Sequence, residues 1–272
     1  MPKKFILLTN DDGIKSPGLW AAAQALSMLG YVHVVAPREQ FSGAGRSLPT
    51  TTDGRVSPQE VEVNGQTWPV YAVGGSPAQA VLHGLLEILP VRPDLVVSGI
   101  NFGENIGNGV TISGTIGAAL EAASYGVPAL AVSLETDPQH HFHHSDGVDF
   151  TTAAYFAQLF ARWMLNQAGE QSSLPHDVDM LKVDVPCDAT PQTPWKATRQ
   201  SRLPYYVPQA QARQGWDDPK PIGYRPNPQA RGDHPGTDIY AMQVERIVSV
   251  TPLSLDLTSR ISLVELEELL RK

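Results

Sequence analysis

Short uninterrupted apolar runs punctuate the first two thirds of the chain, each followed by a stretch with helical spacing. Phe5-Ile6-Leu7-Leu8 ends in the polar cluster Thr9-Asn10-Asp11-Asp12-Gly13. A run without polar alternation marks a strand covered on both faces, as in a parallel sheet. Pro17 suits a helix first turn. Leu19, Ala22, Ala23, Leu26 and Leu29 continue that helix at the right spacing, with Gly30 as its stop. Val32 to Ala36 is the next strand, broken by Pro37, and Pro69 to Val73 is another. A helix is expected from Pro77 through Leu89, a strand over Asp94 to Ser98, a helix over 115–125 and a strand over Ala129 to Ser133. An amphipathic helix over 150–165 and a last core strand from Met180 to Val185 complete the series. This strand-then-helix rhythm predicts an α/β fold with a doubly wound, mostly parallel sheet and right-handed crossovers.

The pattern changes after Val185. Ten of the 23 prolines fall between Pro186 and Pro235, too many for regular core elements, so loops, edge strands or an extended arm are expected there. Ile239 to Gln243 and Ile247 to Val250 again read as strands. Over 262–271, Leu263, Leu266, Leu269 and Leu270 form an apolar stripe that must cover either the chain's own core or a partner subunit. The expected organisation is an α/β core over 1–186 and, over 187–272, a Pro-rich C-terminal arm with strands and a terminal helix.

Composition narrows the class. In 272 residues, 42% are apolar, enough for a real core, and the formal charge is −8. A field of that sign repels nucleic-acid polymers and anionic membranes, yet leaves room for a local site that holds one phosphate through a metal. Cys187 is the only cysteine, so no intramolecular disulfide can form, which suits a reducing compartment. The apolar run after Lys3 and Lys4 is too short for a signal peptide or a membrane span. The reading is a soluble, cytoplasmic protein.

Ligand sites in open parallel sheets lie beyond the carboxyl ends of the strands. The first strand delivers Asn10, Asp11 and Asp12 there, the second delivers Arg38 to Gly43, and the strand at 94–98 delivers Gly99 to Asn105. If these strands are neighbours, the three loops converge. Adjacent carboxylates with neutral oxygen donors from two other loops make a hard-oxygen set that suits Mg²⁺, Mn²⁺ or Ca²⁺ rather than zinc. Without a cation they would repel, and one would rise in pKa. Asp-Asp-Gly is also ordinary turn chemistry. Six glycines between Gly99 and Gly117 lead into Ser113-Gly114-Thr115 just before an Ala-rich helix. Free amides at that helix start would seat a phosphate, although an N-capped βα loop has the same composition. P-loop, dinucleotide and nucleophile-elbow motifs are all missing. Four of the eight histidines cluster in 139–146, read mainly as an exposed loop, and Cys187 is read as a partly buried, unactivated thiol.

The ordered set of motifs resembles the SurE family of survival-protein nucleotidases. It comprises Leu7-Leu8-Thr9-Asn10-Asp11-Asp12-Gly13 with Ser16-Pro17-Gly18, Val34-Val35-Ala36-Pro37 with Ser42-Gly43, and Gly75-Ser76-Pro77-Ala78. Pro93 to Asn101 with Gly103, Asn105 and Gly107 follow, then Ser113-Gly114-Thr115, Pro128 to Ser133, Val183 to Pro186, Gly236-Thr237-Asp238 and Val248 to Leu253. The resemblance implies a Rossmann-like core and a metal-dependent phosphomonoesterase acting on nucleoside 5′-monophosphates. Nucleoside 3′-monophosphates and short polyphosphate are further candidate substrates. It implies one divalent cation per subunit, Mg²⁺ or Mn²⁺, on Asp11, Asp12, Ser42 and Asn101. Asp11 and Asp12 would be catalytic, and Asn105, Ser113, Gly114 and Thr115 would contact phosphate. It also implies dimers or tetramers built by exchange of C-terminal segments.

Ser76 stands where the family usually has Thr, and Asp184 where Asn is common; 139–146 and 213–233 match no family feature. The runner-up from another class is a non-enzymatic phospho-receiver or nucleotide-binding module that binds Mg²⁺. A receiver would use Asp53 as phospho-acceptor, but Thr50-Thr51-Thr52 is no apolar strand and no lysine occurs between Lys15 and Lys182. A haloacid-dehalogenase type of phosphatase wants its first two acids separated by one intervening residue, whereas Asp11 and Asp12 are adjacent.

Overall fold

The apolar run at Phe5–Leu8 lies in β1 (Lys4–Thr9), and Ile6, Leu7 and Leu8 are fully buried there. The computed structural model describes residues 4–141, 147–170 and 174–271. After β1 come α1 (Pro17–Ser27), β2 (Gly30–Pro37), β3 (Val56–Val63), β4 (Gln66–Val73) and α2 (Pro77–His83). Next are β5 (Leu95–Phe102), α3 (Gly114–Ser124), β6 (Ala129–Leu134), α4 (Thr151–Glu170) and β7 (Met180–Val185). The C-terminal part adds β8 (Trp195–Ala197), β9 (Tyr206–Gln209), β10 (Gly223–Pro226), α5 (Asp238–Tyr240), β11 (Val248–Leu253) and α6 (Leu263–Leu270).

Nine strands form one sheet in the order β3-β4-β2-β1-β5-β6-β7-β11-β8. The six strands from β4 to β7 pair in parallel, as the sequence rhythm predicts. Helices α1 and α4 cover one apolar face through Leu19, Leu26, Phe156 and Phe160, among others. Helices α2 and α3 cover the other through Ala80, Val81, Ile116 and Ala119. Burial on both faces is why the central strands carry continuous apolar runs. Among the described residues, no helix is long and apolar enough to cross a membrane.

Several elements depart from the sequence expectation. Strand β3 pairs antiparallel with β4 at the sheet edge; its exposed, Pro- and Glu-containing segment carries no continuous apolar run and was not predicted. The helix expected from Pro77 to Leu89 ends at His83 and finishes in a π turn over Gly84–Ile88. Ile239–Gln243 is not a strand: Thr237 caps α5 by accepting from Tyr240 N, and a π turn over Ala241–Glu245 follows. Met180–Val185 is not the last core strand either, because β11 pairs antiparallel with it and parallel with β8. The Pro-rich stretch supplies the three-residue edge strand β8 and the separate β9–β10 hairpin.

Candidate functional site

Strand β1 lies between β2 and β5, so the strand order reverses there and leaves a crevice beyond its carboxyl end. Asn10 closes the turn after β1 by accepting from Gly13 N and donating to Gly13 O. That turn leaves Asp11 and Asp12 buried, with 4% and 1% of their surface exposed. Asp12 accepts from Phe102 N at 3.1 Å, at the end of β5, and from Gln40 Nε2 at 3.3 Å, in the loop after β2. Asp11 accepts from the hydroxyl of Thr115 in the first turn of α3. The three loops therefore do converge.

The start of α3 lies directly over Asp11. A Cβ on Gly114 would stand 2.7 Å from that of Asp11, so only glycine fits where the helix meets the carboxylate. Ser113 caps α3 by accepting from Ile116 N at 3.2 Å. Burial raises the Asp11 carboxyl above the ordinary carboxylate range, although the Thr115 hydroxyl and the amides of Gly114 and Thr115 oppose the shift. Burial raises Asp12 well above that range, and the charge of Asp11 adds to it. Like charges this close in a water-poor site disfavour double ionisation.

Ser42 is exposed, and its Oγ accepts from Gln40 Nε2 at 3.0 Å. The same nitrogen donates to His141 O at 2.6 Å. Gln40 thus links Asp12, Ser42 and the segment after β6, a role its neighbours in sequence did not single out. Asn101 is half-buried, and its Nδ2 donates to the carbonyls of Gly103, at 2.7 Å, and Phe102. Its amide oxygen is the end left for a ligand. The donors are then two carboxylates, a hydroxyl and an amide oxygen, and this oxygen-only chemistry fits a hard divalent cation.

Asn105 is already engaged. Its backbone N donates to Asp184 at 2.7 Å and its Nδ2 to Ser133 Oγ at 2.9 Å. Asp184 is in turn paired with Lys182 at 2.5 Å, and Lys182 with Asp238 at 3.1 Å, all fully buried. Asp238 also accepts from Gly107 N and from Ser201 N. Burial opposes the charge on Lys182, but the two carboxylates outweigh it and raise the ammonium pKa. This triad fastens the loop after β5 to the C-terminal arm.

Of the histidine-rich tract, 142–146 lie outside the described residues. His141, expected in an exposed loop, is buried: it hydrogen-bonds Tyr224 at 2.8 Å and meets Tyr206 edge-on. Gly103 makes room for it, since a Cβ there would stand 2.5 Å from His141 Nε2. Cys187, expected to be partly buried, is exposed just beyond β7. With Glu135 and Asp188 it makes the candidate acidic metal cluster found among the described residues. Arg246 fills that cluster, 2.6 Å from Glu135 and 2.5 Å from Asp188. Asp53 sits in the loop before β3 rather than at a buried strand end, which removes the receiver arrangement.

A family model described as Survival protein SurE matches residues 6–206. The chain is 42% identical over 267 residues to "5'-nucleotidase SurE" of Thermococcus gammatolerans, covering 97% of this chain and 95% of that protein. It is likewise 42% identical over 259 residues to "5'-nucleotidase SurE" of Archaeoglobus fulgidus, covering 94% and 93%. In three dimensions it is similar to the crystal structure of the SurE protein from Aquifex aeolicus, with a TM-score of 0.75, 31% identity, and 97% and 99% of the two chains covered.

Proposed function

Given that the chain belongs to the SurE family, we propose that it hydrolyses nucleoside 5′-monophosphates to nucleoside and phosphate, with 3′-monophosphates and short polyphosphate as secondary substrates. The observation that carries this reading is the meeting of Asp11 and Asp12 with the first turn of α3 at the end of β1. Asp11, Asp12, Ser42 and Asn101 would hold one Mg²⁺ or Mn²⁺. When bound, the cation offsets the charge of the carboxylates and of the phosphoryl oxygens. Thr115 and the α3 amides keep Asp11 oriented. Whichever of Asp11 and Asp12 the cation holds less tightly would take the proton of the attacking water. Asn105 and the start of α3 at Ser113, Gly114 and Thr115 would contact the phosphate oxygens once substrate competes for their present hydrogen bonds. Water attacks phosphorus directly, the P–O bond to the nucleoside breaks, and the leaving oxygen takes up a proton to give nucleoside and phosphate.

In this reading 1–186 is the catalytic core and 187–272 the arm of a cytoplasmic homo-oligomer, a dimer or tetramer, with neither a nucleic-acid polymer nor a membrane as partner. Leu263, Val264, Leu269 and Leu270 support the exchange of C-terminal segments: they are 59–77% exposed on α6, which has no buried residue.

The test is phosphate release from a panel of 5′- and 3′-nucleoside monophosphates, with EDTA-stripped protein and after return of Mg²⁺, Mn²⁺ or Zn²⁺. Activity should return with Mg²⁺ or Mn²⁺, and Asp11→Asn should collapse turnover with the fold intact by circular dichroism. Near-normal turnover in the metal-loaded variant would remove Asp11 from the mechanism. Silence of folded wild-type protein with every metal would refute the reaction class.

A further inference from the structure

Beside the Asp11–Asp12 centre, a cavity of about 440 Å³ opens above the carboxyl ends of β2 and β4. Its lining includes Arg38, Phe41, Pro49, Thr52, Asp53 and Val73. The loop after β2 serves both places. Gln40 and Ser42 join the hydrogen bonds around Asp12, whereas Arg38 and Phe41 wall the cavity. Phe41 N donates to Asp11 O at 2.7 Å, which fixes this wall to the backbone of the candidate metal ligand. Strands in a sheet are about 5 Å apart, so the ends of β2 and β4 lie roughly one and two spacings from the end of β1. That interval is of the order that separates phosphate from base in a mononucleotide.

We propose that this cavity is the nucleobase subsite, with Phe41 as the residue on which the base stacks. The inference rests on the nucleotidase reading above and names the part of the substrate that the cavity holds. Phe41, Pro49 and Val73 give apolar walls, and among the described residues no aromatic ring packs on Phe41. The polar edge is a matched donor and acceptor: Arg38 Nη2 lies 3.2 Å from Asp53 Oδ2. Asp53 also accepts from Arg55 N at 3.0 Å, and its carboxylate lies tight over the Gly74 backbone, where a Cβ would collide with it. Thr52 braces the rim, its hydroxyl 3.1 Å from both Pro49 O and Gln79 Oε1, which share its one proton. A second phosphate would meet the Asp53 carboxylate, and a lone cation would meet Arg38. A flat neutral ring with donors and acceptors along its edge suits both, and its π-face suits Phe41.

Kinetics on two metal-activated substrates, a nucleoside 5′-monophosphate and ribose 5-phosphate, separate base recognition from chemistry, because they share sugar and phosphate. Phe41→Ala should lower kcat/KM for the nucleotide about tenfold, through KM, the size expected for one lost base–aromatic stack. It should leave ribose 5-phosphate within twofold, and Phe41→Trp should restore the nucleotide preference. Equal losses on both substrates, or none on either, would overturn the subsite. If the wild type turns over neither, the nucleotidase reading fails, and calorimetry with adenosine then judges the cavity alone. Binding lost in Phe41→Ala sustains it, and no binding to the wild type overturns it.

Discussion

Glu104 shows how much a single side chain's setting depends on residues far along the chain. In sequence it is one polar position in a glycine-rich loop; in the fold it is 4% exposed and accepts from the Tyr206 hydroxyl at 3.0 Å. Burial raises its carboxyl from 4.5 to about 7. The folded chain therefore holds a proton that the unfolded chain releases, so this group's stabilisation is full below pH 4.5 and is lost as pH rises through about 7. The loss amounts to about 3 kcal/mol. Glu104→Gln should flatten the fall in stability between pH 5 and 7.5 and be the more stable form at the upper end, as read from urea midpoints. A parallel slope in both proteins would show that Glu104 does not titrate there. His141 makes the same point, since its burial depends on Tyr206 and Tyr224 folding back from the arm.

Elements were most legible where local pattern and burial agree. The strand runs at Phe5–Leu8 and Ala129–Ser133 had only to be covered on both faces, and the carboxyl-end rule then located Asp11 and Asp12. Strand β7 was legible as a strand but not as part of a buried ion cluster: Lys182 and Asp184 stand two apart on one face, while Asp238 lies 56 positions beyond Lys182 in a segment whose apolar residues imitate a strand. No local signal joins them. Removing one member of a buried ion cluster strands the others, so Lys182→Met should destabilise the fold by about 3–5 kcal/mol. Adding Asp184→Asn should recover part of that loss. Additive losses in a double-mutant cycle of denaturation midpoints would show that the two do not act together.

At the scale of the whole molecule, the C-terminal segment has two kinds of attachment. Strand β11 is built into the main sheet, whereas α6 leaves Leu263, Leu269 and Leu270 exposed. Truncation after Thr258 should therefore keep the fold and shift sedimentation from an oligomer to a smaller species. A full-length chain that sediments as a monomer at micromolar concentration would dispose of the exchanged-segment proposal. The insertion of β11 between β7 and β8 also sets a timetable for synthesis. Ribosomes deliver roughly 5–20 residues per second, so β7 waits several seconds with an open edge before β11 emerges to close it. A bare apolar strand in that interval would invite pairing with neighbouring nascent chains. Lys182 puts a charge in the middle of β7, the device that edge strands use against such pairing. The ammonium that holds Asp184 and Asp238 in the finished fold is, until Asp238 arrives, the strand's own safeguard against aggregation.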